Sequence, residues 1–317
     1  MVLEKNYKEK LKSGIIGLCV ADALGVPVEF TDRALLQANP VIDMRGYGTY
    51  NQPPGTWSDD TSMTLCLLDS LSGGLDYGGI CGKFLSWISD AAYTAHGEVF
   101  DVGNTTRSAL QRYADGTEPI MCGGSSEYDN GNGSLMRILP LVFYLRSSFM
   151  DWVSRCDDIF EVIHNVSSLT HAHPRSHIAC GIYLSIANRL FDDADRITAT
   201  HEGVAYSEKY YSGKNKYASE LFYFKRIFDD EFVNLTQESI KSSGYVVDSL
   251  EAALWCFMTT DNYKDCVLKA VNLGEDTDTV AAISAGLAGL HYGYEAIPKK
   301  WVEQIAHLDF ILNLCNK

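Results

Sequence analysis

Apolar residues recur at helical spacing through most of this chain, and runs of alternating apolar and polar residues are sparse. The first periodic segment spans about residues 7–24. It carries Gly14, Gly17 and Ala21 on a close-contact spacing and is stopped by Gly25 and Pro27. A loop rich in Gly, Tyr and Pro over residues 45–55 leads to Ser58, an N-cap for an apolar helix reaching Leu71. Further helices are predicted over residues 79–93, over an apolar stretch ending at Ser167, over 176–191, from Gly244 through Trp255, and over 263–272. Residues 280–290 follow, where Ala281, Ala282, Ala285, Ala288 and Gly289 leave little side-chain bulk, as in a buried helix packed closely against its neighbours. Ile297-Pro298 opens a closing helix. This pattern predicts an all-α protein of a dozen or so helices, residues 1–317 forming one domain without a low-complexity linker.

Composition narrows the class. A 317-residue chain with 46% hydrophobic residues can bury a sizeable core. The apolar runs look too interrupted to span a bilayer and the first ten residues lack the apolar core of a signal peptide, so the expectation is a cytoplasmic protein without a membrane partner. Nine widely spaced cysteines, none in a C-x-x-C pair, read as reduced core residues. A net charge of −15 argues against a nucleic-acid-binding surface. Positive partners for an anionic ligand must then be local: metal ions, helix N-termini or single arginines.

The chemistry concentrates at two helix starts. Gly274-Glu275-Asp276-Thr277-Asp278-Thr279 puts three acids and two hydroxyls before the small-residue helix, more negative charge than a helix dipole accounts for. Ser58-Asp59-Asp60-Thr61 repeats the design. If the two starts face each other, they offer four carboxylates and up to three hydroxyls, a hard oxygen set suited to two Mg²⁺ or Mn²⁺ ions roughly 3.5–4 Å apart. Glu29 lies in an otherwise apolar strip, where a carboxylate needs a partner or a raised pKa, unless the strip is a surface loop. Asp101 sits in the turn before a helix capped by Asn104 or Thr105. Asn130, Gly131, Asn132, Gly133 and Ser134 present backbone N–H groups that suit a phosphate as they enter a helix. Arg137 follows, able to touch an anion or to pair with a structural acid. His171 of Thr170-His171-Ala172-His173 reads as a polar pocket residue or a satisfied core histidine. The tyrosines at 206, 210, 211, 217 and 223 read mostly as packing, with one available to stack on a ligand ring.

Taken together, Asp22 to Glu29, Ser58 to Thr61, Asp101 to Asn104, Asn130 to Arg137, Thr170-His171 and Gly274 to Thr279 resemble, in this order, the motifs of the ADP-ribosylglycohydrolase family. The resemblance runs from about Gly14 to Trp301. It implies a compact single-domain orthogonal helix bundle with a binuclear Mg²⁺ or Mn²⁺ centre at the base of an ADP-ribose cleft. Carried over by residue, Ser58, Asp59, Asp60, Asp276, Asp278 and Thr279 would be metal ligands, with Glu29 ligating or gating the centre. Asp101 would be the general base or acid, with Glu29 and Asp60 beside it in the catalytic group. Asn104, residues 130–134 and His171 would contact the ADP-ribose. The chain departs from the family's usual glycines at Ala21 and Glu275, and neither change removes a ligand. The implied reaction is hydrolysis of the glycosidic bond of a mono-ADP-ribosylated protein, at arginine first of all, or of a small-molecule ADP-ribose conjugate. The residues themselves leave open a two-metal phosphoester or pyrophosphate hydrolase and a non-catalytic protein that binds ADP-ribose or a transferase.

Overall fold

The computed structural model describes residues 2–149 and 151–317. The α-helices run in the order α1 (Val2–Gly25), α2 (Arg33–Ala38), α3 (Asp59–Leu71), α4 (Tyr77–Asp90), α5 (Asn104–Ala114), α6 (Pro140–Ser148), α7 (Cys156–Ser168), α8 (Pro174–Phe191), α9 (Arg196–Ser212), α10 (Asn215–Ala218), α11 (Val246–Met258), α12 (Tyr263–Val271), α13 (Thr277–Tyr292), α14 (Lys299–Gln304) and α15 (Leu308–Cys315). Among the described residues there is no β-strand, only isolated bridges that join Tyr47 to Gln52, Gly124 to His171 and Gly131 to Tyr245. The last two tie the glycine-rich loop to the start of α8 and the start of α11.

The core is built on α1 and α13, and glycines bring the two helices together. A Cβ on Gly289 would lie 2.3 Å from the Ser13 carbonyl oxygen, one on Gly17 would lie 2.9 Å from that of Ala285, and one on Gly25 would lie 2.2 Å from Asp278 Cα. Ascending positions on α1 thus meet descending positions on α13, so the helices run antiparallel. That direction sets the site: the end of α1, with Asp22 and then Glu29, lies beside the start of α13, with Asp276 and Asp278. Gly25→Ala is expected to lower the unfolding free energy by about 1–3 kcal/mol through overpacking, measured by denaturant unfolding. A wild-type midpoint would show that the helix ends are not in close contact.

Two tyrosine hydroxyls fix the pair inside the bundle. Tyr263 of α12 donates to the Gly17 carbonyl at 2.6 Å, and Tyr183 of α8 donates to the Ile283 carbonyl at 3.0 Å. Each buried hydroxyl keeps a partner, which is the condition for placing a phenol in a core. All nine cysteines are free thiols, as their spacing suggested.

Two expectations differ from the structure. The stretch Asn6–Val28 is long and apolar enough to cross a membrane, with mean hydropathy 1.6. Its length and composition therefore exclude nothing, and it is 89% buried in the fold as the central helix. The glycine-rich stretch enters no helix: residues 130–137 form bends and turns, and α6 begins only at Pro140. The tyrosines of α9 pack, as most of the five were expected to. Tyr210 stacks on Phe160 with ring centroids 3.9 Å apart, and Tyr211 donates to the His177 carbonyl.

Candidate active site

The start of α3 is held by an acid from another helix. Asp22, fully buried near the end of α1, accepts from the backbone N–H of Ser58 at 3.0 Å and of Thr61 at 3.0 Å. Free N–H groups at a helix start are natural donors to a carboxylate. Burial still pushes the Asp22 carboxyl up to about 6. The Ser58 hydroxyl accepts from the Asp60 N–H at 3.3 Å and caps the helix as the sequence suggested. Across the gap, the Thr279 hydroxyl donates to Asp60 Oδ2 at 3.1 Å. The two acidic helix starts, more than two hundred residues apart in the chain, therefore meet.

Around that contact lies a concentration of carboxyls. Asp60 and Asp278 are fully buried, Asp59 and Glu29 nearly so, and Asp101 and Asp276 partly. Glu29 is thus not a surface acid. Burial is the first cause of a raised pKa in each, followed for most of them by the charge of neighbouring carboxylates. Glu29 is pushed up to about 10 by burial and then by Asp101 and Asp276, and Asp101 up to about 6. Asp59, Asp60 and Asp278 are raised well above the usual carboxylate range. The Tyr50 hydroxyl lies close enough to Glu29 and Asp101 to lower the pKa of both carboxyls, against the effect of burial.

Four carboxylate oxygens in this group, Glu29 Oε2, Asp60 Oδ1, Asp276 Oδ1 and Asp278 Oδ2, are buried without a hydrogen-bond partner. Unpaired buried carboxylates are costly unless a cation shares their charge. One oxygen each from Glu29, Asp101 and Asp278 lie within 4.8 Å of one another, a group that could hold a metal ion. The donors are all oxygen and fit a hard divalent cation. Asp101, expected as the proton-transfer group rather than as a ligand, belongs to this triad. Among the ligands carried over from the resemblance, the hydroxyls of Ser58 and Thr279 are both already engaged with Asp60.

Above the carboxyls opens a cleft of about 320 Å³. Glu29, Asp59, Asp101, Asp276 and Thr279 line one part, and Asn104, Gly131, Asn132, Gly133 and His171 line another. Asn132 bridges the two parts, donating from Nδ2 to Asp276 Oδ2 at 2.8 Å and to the Ser249 hydroxyl at 2.9 Å. His171 is buried, its Nδ1 against the Thr170 hydroxyl at 2.8 Å. Burial first, then the Arg137 charge, lowers its pKa to about 3, so it faces the cleft as a neutral imidazole.

Asn130 and Ser134 do not line the cleft. Asn130 donates from Nδ2 to the Glu127 carbonyl, and Ser134 accepts from the Ser167 hydroxyl at 2.9 Å in the core behind the loop. Arg137 reaches neither an anion nor an acid. Its fully buried guanidinium donates to the carbonyls of Gly133 and Val166 and lies over the Phe84 ring at 4.9 Å, so it shapes the loop from behind. Glu275 points to solvent, and its backbone pairs with residues 30 and 31. His173 caps α8 by accepting from the Arg175 N–H.

Two residues of this site were not singled out by sequence. Asp22 offered a signal, an acid inside an apolar helical run, but its partner lies 36 residues away. Tyr50 offered none within its loop.

Residues 3–317 match the sequence family described as ADP-ribosylglycohydrolase. The chain belongs to the ADP-ribosylglycohydrolase family. It is 33% identical to the ADP-ribosylarginine hydrolase Tri1 of Serratia proteamaculans (strain 568), over 100% of this chain and 81% of that protein. It is 30% identical to the ADP-ribosyl-[dinitrogen reductase] glycohydrolase of Rhodospirillum rubrum, over 95% and 91% of the two chains. A solved ADP-ribosylglycohydrolase-related protein complex contains a chain that superposes with a TM-score of 0.78 at 28% identity, covering 98% of this chain and 97% of that one. As an ADP-ribosylglycohydrolase, the protein is a hydrolase with the all-helical fold expected from its sequence.

Proposed function

We propose that this ADP-ribosylglycohydrolase cleaves the bond between C1 of the distal ribose and an arginine guanidinium of a modified protein, with two divalent cations, Mg²⁺ or Mn²⁺, at its acidic floor. The observation that carries the reading is the set of four buried, unpartnered carboxylate oxygens on Glu29 and Asp276, which line a cleft, and on the fully buried Asp60 and Asp278. The printed names of Tri1 and of the Rhodospirillum rubrum relative support the substrate class, and that of Tri1 the acceptor. Glu29, Asp59, Asp60, Asp101, Asp276 and Asp278 are the residues that would hold the cations. When bound, such ions would orient the ribose hydroxyls and a water for attack.

The chain's own groups do the rest. Gly131, Asn132, Gly133, Asn104 and neutral His171 receive the ADP-ribose as hydrogen-bonding partners that add no competing charge. Asp101, beside Tyr50, accepts a proton from the attacking water and returns it to the leaving nitrogen. The water oxygen bonds to C1, and the C1–N electron pair leaves with the guanidine. The surrounding carboxylates stabilise the positive ribose that develops as this bond breaks.

The test is a panel of mono-ADP-ribosylated arginine, serine and nucleic-acid substrates, assayed with Mg²⁺ and with Mn²⁺. Free ADP-ribose from the arginine substrate is the expected product. AMP would identify a pyrophosphate hydrolase instead, and full activity in excess EDTA would remove the cations from the reaction.

Asn132 tests the support of the acidic floor, because its amide orients the Asp276 carboxylate. Asn132→Ala is expected to weaken Mn²⁺ binding by roughly 10–100-fold, measured by titration calorimetry. Unchanged affinity would show that Asp276 needs no such support.

A further inference from the structure

Phe30 follows Glu29 directly, lines the acid-rich part of the cleft and is 67% exposed. Its ring makes no aromatic or cation contact among the described residues. Burial therefore does not explain a large apolar side chain at this place. The backbone is also fixed in an unfavourable form: φ is 60°, in the left-handed region, which costs a non-glycine residue roughly 1 kcal/mol or more. Two rungs hold it there. The Phe30 N–H donates to the Glu275 carbonyl at 2.6 Å, and the Glu275 N–H donates to the Thr31 carbonyl at 3.0 Å.

Glu275 shares the geometry, with φ of 61° and an exposed side chain. Its carboxylate has no hydrogen-bond or ion-pair partner among the described residues. The rungs thus set the exposed Phe30 ring, which lines the cleft, on a backbone adjacent to that of Glu275, whose unpaired carboxylate lies in solvent outside the cleft lining. No lysine or arginine lines the cleft. The nearest guanidinium in sequence, Arg33, is engaged by the carbonyls of Leu273, Gln237 and Ile240. The rim therefore offers a flat π face, with a solvent-exposed negative charge one backbone away and no lysine or arginine in the lining to compete for it. A guanidinium matches both, because its plane stacks on a ring while its N–H edge donates to a carboxylate.

We propose that Phe30 and Glu275 form the acceptor subsite: the ring stacks on the guanidinium that bears the ADP-ribose, and the carboxylate receives its N–H groups. This assignment rests on the arginine-directed reading above. It places the acceptor on the Glu29 side of the scissile bond and the ADP-ribose on the side of Gly131, Gly133 and His171.

The test compares F30L, F30Y and E275Q with wild type on an ADP-ribosylarginine peptide in the presence of Mg²⁺. Binding of free ADP-ribose, which lacks the acceptor, is measured in parallel by calorimetry. F30L and E275Q are each expected to lower kcat/KM by roughly 3- to 30-fold, mainly through KM. F30Y, which keeps the ring, should restore the wild-type value, and the ADP-ribose Kd should stay constant across the series. Wild-type kcat/KM in F30L and E275Q would overturn the subsite. So would a loss of ADP-ribose affinity matching the loss in kcat/KM, because the ring would then serve the nucleotide. A wild-type enzyme that leaves the arginine peptide intact while releasing ADP-ribose from another acceptor would overturn the arginine reading, and this subsite with it.

Discussion

Asp278→Asn is expected to lower ADP-ribose release by at least roughly a hundredfold while making the cation-free protein more stable. Asp278 is fully buried, with Oδ1 accepting from the Thr279 N–H at 2.9 Å and Oδ2 without a partner. Burial raises its pKa first, and the charges of Glu29, Asp101, Asp60 and Asp276 raise it further. The amide keeps the shape and the oxygen that Thr279 needs, removes one member of a mutually repelling group, and adds a donor that neighbouring carboxylates can accept. A gain of about 1 kcal/mol follows, worth roughly 1–2 °C in a chain of 317 residues. The amide also removes the charge that would bind a cation in the triad with Glu29 and Asp101. Activity, Mn²⁺ titration and melting of the EDTA-treated protein measure the three effects. A variant that keeps full activity and an unchanged cation response would remove Asp278 from the proposed centre.

The second large effect is a stability that depends jointly on pH and divalent cation. Asp22 and Asp101 have folded pKa values of about 6, Glu29 about 10, and Asp59, Asp60 and Asp278 are raised as well. Unfolded carboxyls titrate near 4. A carboxyl with a raised folded pKa favours the native state while protonated. That stability is fully present below about pH 4 and is lost as pH rises through the folded values. This cluster is therefore expected to lower the unfolding free energy of the EDTA-treated protein as pH rises from about 4 toward 8.

Cation binding needs the ionised carboxylates, so it strengthens over the same interval. At about 100 times its Kd, a bound ion adds about 2.7 kcal/mol, or roughly 4 °C. Melting curves with Mg²⁺, with Mn²⁺ and with EDTA at pH 5.5 and 8 should show the larger cation shift at pH 8. An equal shift at both pH values would separate cation binding from these carboxyls.

Local features of the chain were legible because they act over one or two turns. Ser58 reads as an N-cap whatever surrounds it, and it caps α3. The small residues after Thr279 read as a closely packed helix, and Gly289 meets Ser13 at backbone contact. Less was legible wherever a residue's partner is distant. Arg137 looked able to take an anion, yet its partners are the carbonyls of Gly133 and Val166. Ser134 looked like a phosphate contact but turns inward to Ser167. From its local sequence Asp101 is a residue in a turn before a helix, and only the fold sets its carboxylate within 4.8 Å of those of Glu29 and Asp278.

By itself the sequence determined helical content, the caps and the two acid-rich helix starts, because spacing and side-chain chemistry specify these within a few residues. Only the tertiary structure decided that the starts converge. Antiparallel packing of α1 on α13 places Gly25 against Asp278, and Asp22 then carries the start of α3 to the same point. The physical reason is that repulsion among buried carboxyls falls with distance and burial, and both are set by contacts across more than two hundred residues of chain.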